Sequence, residues 1–228
     1  MKRFCTVLLT IIIAIISANG KTSEQIVPVD TAVKHGVLPN GMTYYVRKAV
    51  NKKHIGEFRL IQRTGSLVEE ETELGMAHFL EHMMFKGTKH YPGNTIIDFL
   101  RSIGVAFGPD VNARTSFENT QYILSAVPLT GESRIDSCLM ILRDWSADAT
   151  IDATALNTER NVIVEEWRAR SMKDEGMKLF KERNAGTRYA ERNPIGSMDI
   201  INSCTAEQMR MFYKRWYQPQ NQCIIACG

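Results

Sequence analysis

Residues 74–88 read Leu74-Gly75-Met76-Ala77-His78-Phe79-Leu80-Glu81-His82-Met83-Met84-Phe85-Lys86-Gly87-Thr88. The run from Leu74 to Phe85 predicts a helix. Apolar residues surround the two histidines and the glutamate on almost every side, and a helix that is apolar all round is a buried one. At about 100° per residue, His82 falls about 40° from His78 around the axis and Glu81 about 60° to the other side. Two imidazoles one turn apart can therefore reach one ion, with a carboxylate beside it. Burying these three groups without partners would cost on the order of several kcal/mol, so the spacing predicts that they are paired or hold a metal. Zinc suits the donor set, because it accepts neutral imidazole nitrogen and carboxylate oxygen and takes three protein ligands in catalytic sites.

The third ligand is expected on a second helix, from Ala153 to Met172, with Asp152 as N-cap. Leu156, Glu159, Ile163, Glu166 and Arg170 follow a 3-4-3-4 spacing and form one stripe. With Ile163 as reference, Glu159 lies at about −40°, Glu166 at about −60° and Glu165 at about −160°. Leu156 and Trp167 mark the packed side, so Glu159 and Glu166 face inward together and Glu165 faces water. Glu166 is the candidate ligand, and Glu159 is placed to hold an imidazole from behind.

The remaining elements surround these two helices. Val33–Val37 and Met42–Arg47 are strand-like runs joined by Leu38-Pro39-Asn40-Gly41, an Asn-Gly turn. Gly56 to Arg63 predicts a third strand with Phe58, Leu60 and Gln62 on one side, broken by Gly65. Thr95–Ile103 and Glu132–Ala147 predict helices, and Val111–Thr115 and Thr120–Val127 predict strands. Residues 173–197 are mixed and charged and yield no assignment. Thr205, with Gln208 three residues on, opens a helix with capping-box spacing, and Asn221–Cys227 is a final strand. This order predicts an α+β fold, a mostly antiparallel sheet with helices packed on one face.

The chain has 228 residues, 44% hydrophobic and 23% charged, enough to bury a sizeable core. Lys2 and Arg3, an apolar stretch from Phe4 to Ile16 and small residues up to Gly20 predict a secretory signal over residues 1–20. That apolar stretch is too short to span a bilayer, so no stable membrane insertion is expected once the signal is cut. Residues 21–32 form a polar lead-in, and residues 33–228 one domain. Without Lys2 and Arg3 the basic count falls from 28 to 26 against 25 acidic residues, a balance that argues against a nucleic-acid partner. Cys138, Cys204, Cys223 and Cys227 form no disulfide framework and read as small buried apolar side chains. Cys223 and Cys227, about 13 Å apart along one strand, cannot bridge each other.

Taken together, His78-Phe-Leu-Glu-His82-Met-Met-Phe-Lys-Gly-Thr88, Arg63-Thr-Gly-Ser66, Val111-Asn-Ala-Arg-Thr115 with Thr120-Gln-Tyr122, Glu159-Arg-Asn-Val-Ile-Val-Glu-Glu166 and Phe212-Tyr-Lys-Arg-Trp-Tyr217 resemble the pitrilysin/insulysin family of inverted-motif zinc peptidases. The resemblance runs from about Val33 to Gly228. It implies a Zn2+ cofactor held by His78, His82 and Glu166, with Glu81 as general base and Glu159 in support. It also implies a peptide substrate added as a strand near Asn112 and Ala113. The activity implied is endopeptidase cleavage of unfolded peptides or small proteins by an exported, periplasmic enzyme. Family members are clamshells of two similar halves, each of two domains, and this chain is similar to the first quarter. A second homologous half, in the same chain or in a partner subunit, is therefore expected. The alternatives are an incomplete fragment or a non-enzymatic, partner-binding subunit.

Overall fold

The computed structural model describes residues 28, 30–49, 53–131, 133–171 and 175–228. The elements below belong to the unit Ala32–Gly228. The expected signal over residues 1–20 lies outside the described residues, as do residues 21–27 and 29 of the lead-in and the expected helix ends Glu132 and Met172.

Strand β1 (Val33–Val37) turns into β2 (Thr43–Arg47) through the Asn-Gly turn. Gly41 takes a φ of 92°, and the Asn40 side chain accepts the Met42 N–H at 3.1 Å. The positive φ explains the glycine. β3 (Ile55–Gln62) buries Gly56, Phe58, Leu60 and Gln62 in strict alternation, as its period-two pattern requires. β4 (Val111–Thr115), β5 (Thr120–Pro128) and β6 (Gln222–Cys227) complete a six-stranded sheet in the order β1-β2-β6-β3-β5-β4. Every pairing is antiparallel except β2 with β6. The expected α+β class holds.

The helices are α1 (Met76–Met83), α2 (Thr95–Ser102), α3 (Arg134–Ala147), α4 (Ala153–Ser171), α5 (Glu175–Arg183), α6 (Arg188–Glu191), α7 (Met198–Ser203) and α8 (Ala206–Trp216). The Asp152 carboxylate accepts the N–H groups of Thr154 and Ala155, both at 2.9 Å, and so caps α4. Thr205 and Gln208 form the expected capping box of α8. Helices α5, α6 and α7 were not legible in sequence. α5 and α6 bury no residue, so no apolar stripe marks them, and α7 is only six residues long.

The core lies between one sheet face and the helices, with Leu60, Tyr122 and Leu124 meeting Phe79, Leu80, Ile141 and Trp145. Cys138 and Cys204 are buried there as expected, but Cys223 and Cys227 are only half-buried, and all four are free thiols. The β2–β6 pairing places these two on the same face as Tyr45 and Arg47, away from Ile224 and Ala226, which are partly buried against the core.

Helix α1 is held at both ends by side chains from elsewhere. The buried Glu69 carboxylate accepts the N–H groups of Gly75 (2.9 Å) and Ala77 (2.8 Å) at its start. Burial pushes this carboxyl up to about 8, and the two N–H donors pull it the other way. Arg192, itself buried, donates to the Glu69 carbonyl at 3.0 Å. Just past the other end, the Trp145 indole N–H donates to the Met84 carbonyl at 2.9 Å. Gly75 closes the fit: its φ is 95°, and a Cβ there would meet Gly196 Cα at 2.9 Å.

The loop after α1 is tied to α3 by Asp144, which accepts the Thr88 hydroxyl at 2.6 Å and two His90 donors at 2.9 and 2.8 Å. Burial alone would raise the Asp144 carboxyl, but these donors outweigh it and hold the group below the ordinary aspartate value. Asp144→Asn is expected to lower the unfolding free energy at pH 7 by about 2–3 kcal/mol, read as a lower urea midpoint. A folded pKa below the unfolded one gives stability above about pH 4 that is lost as pH falls through the folded value. The variant should therefore show a shallower acid loss than the wild type from about pH 5 downward.

Candidate metal centre

His78 and His82 project from α1, and Glu166 reaches them from α4. His78 Nε2 and His82 Nε2 are 3.3 Å apart, and Glu166 Oε2 lies 3.5 Å from the first and 3.3 Å from the second. The three atoms form a nearly equilateral triangle. Ligand distances of about 2.0–2.1 Å around a tetrahedral zinc place ligand atoms about 3.3–3.4 Å from each other. The triangle therefore has the dimensions of one face of a zinc tetrahedron. Among the described residues, His78, His82 and Glu166 are the group of three whose ligand atoms could hold an ion.

The other side of two of the three ligands is held as well. Glu159 Oε1 lies 2.9 Å from His82 Nδ1, and its Oε2 lies 2.6 Å from Lys86 Nζ. A proton on Nδ1 shared with Glu159 leaves the Nε2 lone pair facing the triangle. Glu166 Oε1 is paired with Arg170. His78 Nδ1 is buried and has no hydrogen-bond partner among the described residues.

The local charges set the proton affinities. Burial, then the neighbouring His82, hold His78 well below the ordinary histidine value. Burial would lower His82 too, but Glu159 and Glu166 outweigh it and push that imidazole up to about 9. The hydrogen bond from His82 is the main reason that Glu166 sits far below the ordinary carboxylate value. Glu81, 8% exposed, is raised by burial, and this is partly offset by the Thr115 hydroxyl that donates to its Oε2 at 2.7 Å.

The triangle opens into a cleft of about 660 Å³, lined in part by Asn112 and Ala113 of β4. β4 is the edge of the sheet. The Ser116–Asn119 hydrogen bond that closes the hairpin makes Arg114 and Asn112 the residues bonded to β5. The N–H of Ala113 therefore points off the sheet, where the Asn112 side chain accepts it at 2.9 Å.

Each residue anticipated from sequence thus lies at this one site: His78, His82, Glu166, Glu159 and Glu81 at its centre, Asn112 and Ala113 at its rim. Glu165 faces solvent, also as expected. Lys86, Thr115 and Glu69 were not anticipated in these roles. Thr115 could have been, since alternation along β4 puts it on the same side as Ala113.

The sequence pattern of the family described as "Insulinase (Peptidase family M16)" matches residues 45–194. The chain is 39% identical to the "Probable zinc protease PqqL" of Escherichia coli over all of its own length and 24% of the relative's. It is 35% identical to the "Zinc protease PQQL-like" of Arabidopsis thaliana over 85% of this chain and 20% of that one. Among solved structures, the first half of the periplasmic protease PqqL from Escherichia coli superposes with a TM-score of 0.82 at 42% identity, covering 89% of this chain and 43% of that one. The ferredoxin protease FusC, solved as a mutant in complex with Arabidopsis ferredoxin, gives 0.77 at 30% identity over 86% of this chain and 22% of that one. The chain spans a quarter or less of the length of these two curated relatives.

His78→Ala, His82→Ala or Glu166→Ala is expected to abolish stoichiometric zinc, measured by elemental analysis of the purified protein. Glu159→Ala should weaken zinc about 10- to 100-fold in a chelator competition, because His82 loses the partner that orients it.

Proposed function

The chain belongs to the insulinase family, peptidase family M16, and from that premise we propose that it is the metal-binding part of an endopeptidase acting on unfolded peptides or small proteins. The observation that carries this reading is the triangle of His78 Nε2, His82 Nε2 and Glu166 Oε2 with the Glu81 carboxylate on the same helix. Zinc, which His78, His82 and Glu166 would hold, would supply Lewis acidity at the scissile carbonyl and lower the pKa of a water to about 7. Glu81 takes the proton of the attacking water and hands it to the leaving amine. Its burial raises its proton affinity, which suits a group that must hold the proton between the two transfers. Glu159 keeps His82 in one tautomer, and Arg170 occupies the far oxygen of Glu166.

The substrate lies along the outer edge of β4 as an added strand, with Ala113 offering its N–H and Asn112 guiding the peptide. Residues 1–20 direct export and residues 33–228 form the first of the enzyme's domains. The periplasmic description of the Escherichia coli neighbour supports the same compartment for this protein. A span of about a quarter of the relatives' length supports an enzyme that needs a second homologous half to complete the groups around the substrate.

Glu81→Gln, made in the protein as its host produces it, should retain zinc and lose cleavage of a quenched fluorogenic peptide by about 10²- to 10⁴-fold. Undiminished cleavage would remove Glu81 as the base.

A further inference from the structure

Opposite Glu81 stands Thr115, the last residue of β4. Its hydroxyl lies 2.7 Å from Glu81 Oε2 and 3.4 Å from the hydroxyl of Thr120, its cross-strand partner in β5. Thr120 is buried and donates its one hydroxyl proton to the Thr64 carbonyl at 2.9 Å. The Thr115 proton is therefore the one that can go to the carboxylate. A β-branched side chain in a strand is stiff at χ1, so this donor is fixed by the sheet, and a hydroxyl-to-carboxylate bond is among the stronger hydrogen bonds.

We propose that Thr115 is a positioning residue for Glu81: by donating to Oε2 it fixes the plane of the carboxylate and leaves Oε1 as the oxygen that takes the proton from water. The proton moves from the water to Oε1 and then to the leaving amine, while Oε2 remains an acceptor throughout. The base on α1 is thereby aligned by the strand whose outer edge receives the substrate. The inference rests on the peptidase reading and adds to it the residue that aligns the base.

The test uses the protein as its host produces it, in wild-type, Thr115→Val and Thr115→Ser forms. Valine keeps the shape and removes the hydroxyl, whereas serine keeps the hydroxyl. Thr115→Val is expected to retain zinc by elemental analysis and KM within about threefold, while kcat falls about 10- to 100-fold, the scale of a misplaced catalytic group. Thr115→Ser should restore most of kcat. Equal kcat in Thr115→Val and wild type overturns the role, and so does an equal fall in Thr115→Ser. Should wild type itself not cleave, the peptidase reading fails, and infrared difference spectra still decide the hydrogen bond. The Glu81 carboxylate band, identified by its loss in Glu81→Gln, shifts in Thr115→Val and not in Thr115→Ser if the bond exists. An unmoved band overturns it.

Discussion

The constraint on which the molecule turns is the burial of ionisable groups between α1 and α4. Glu81, Glu159 and Glu166 converge there with two imidazoles, and Lys86 and Arg170 are the cations that touch them. His82, pushed up by Glu159 and Glu166, holds a proton at neutral pH, so three carboxylates face three positive charges in a partly desolvated site. Unpaired buried charge is expensive, and the arrangement limits that cost locally. Glu159 meets Lys86 on one oxygen and His82 on the other, and Glu166 divides its oxygens between Arg170 and the histidines. A divalent cation at the triangle would displace the proton from His82 and take its place beside the carboxylates. The same cluster that burdens the fold makes it a cation site.

Helix α1 cannot meet this demand alone. Its eight residues are too few for a helix to be stable in water, and its order must come from packing. Met76, Ala77, Phe79, Leu80 and Met83 are almost wholly buried and supply that packing. The end contacts then fix its axial position. Glu69 holds the first N–H groups, and Trp145 holds a carbonyl just past its end. Ligand atoms separated by about 3.3 Å tolerate little sliding of one helix against another. Rigid ends on α1 and the Asp152 cap on α4 are what keep the triangle in register.

Much of this was legible in sequence, for a physical reason. His78, Glu81 and His82 share one helix, and Glu159 and Glu166 share another, so helical geometry alone predicts which faces they occupy. The strands β1 to β5 were visible through alternation and turn residues such as Asn40-Gly41. What stayed hidden was long-range. Glu69 caps a helix six to eight residues beyond it through a loop, Lys86 reaches back to α4, and Thr115 meets Glu81 only once β4 folds against α1. None of these follows from periodicity. The half-buried state of Cys223 and Cys227 was missed for a related reason: the face of a strand toward the core is fixed by pairing with β2 and β3, and small apolar residues lie on both faces of β6.

The edge strand shows how one segment can be both exposed and protected. An unpaired edge invites other strands, and β4 is only five residues long with the Ala113 N–H turned outward. Asn112 satisfies that N–H with its own side-chain oxygen. A peptide strand paired here, as proposed, would exchange this hydrogen bond for one from its own carbonyl, so that the Ala113 N–H gains none and only the outward Ala113 carbonyl gains a partner. Net hydrogen-bond gain is about 0.5–1.5 kcal/mol even when a bond is newly made, and an exchange gains less. Backbone pairing at Ala113 can therefore set direction and register while contributing little affinity. On the proposed reading, discrimination among peptides would then come from the side chains that enter the cleft beside Phe85, Phe107 and Val162.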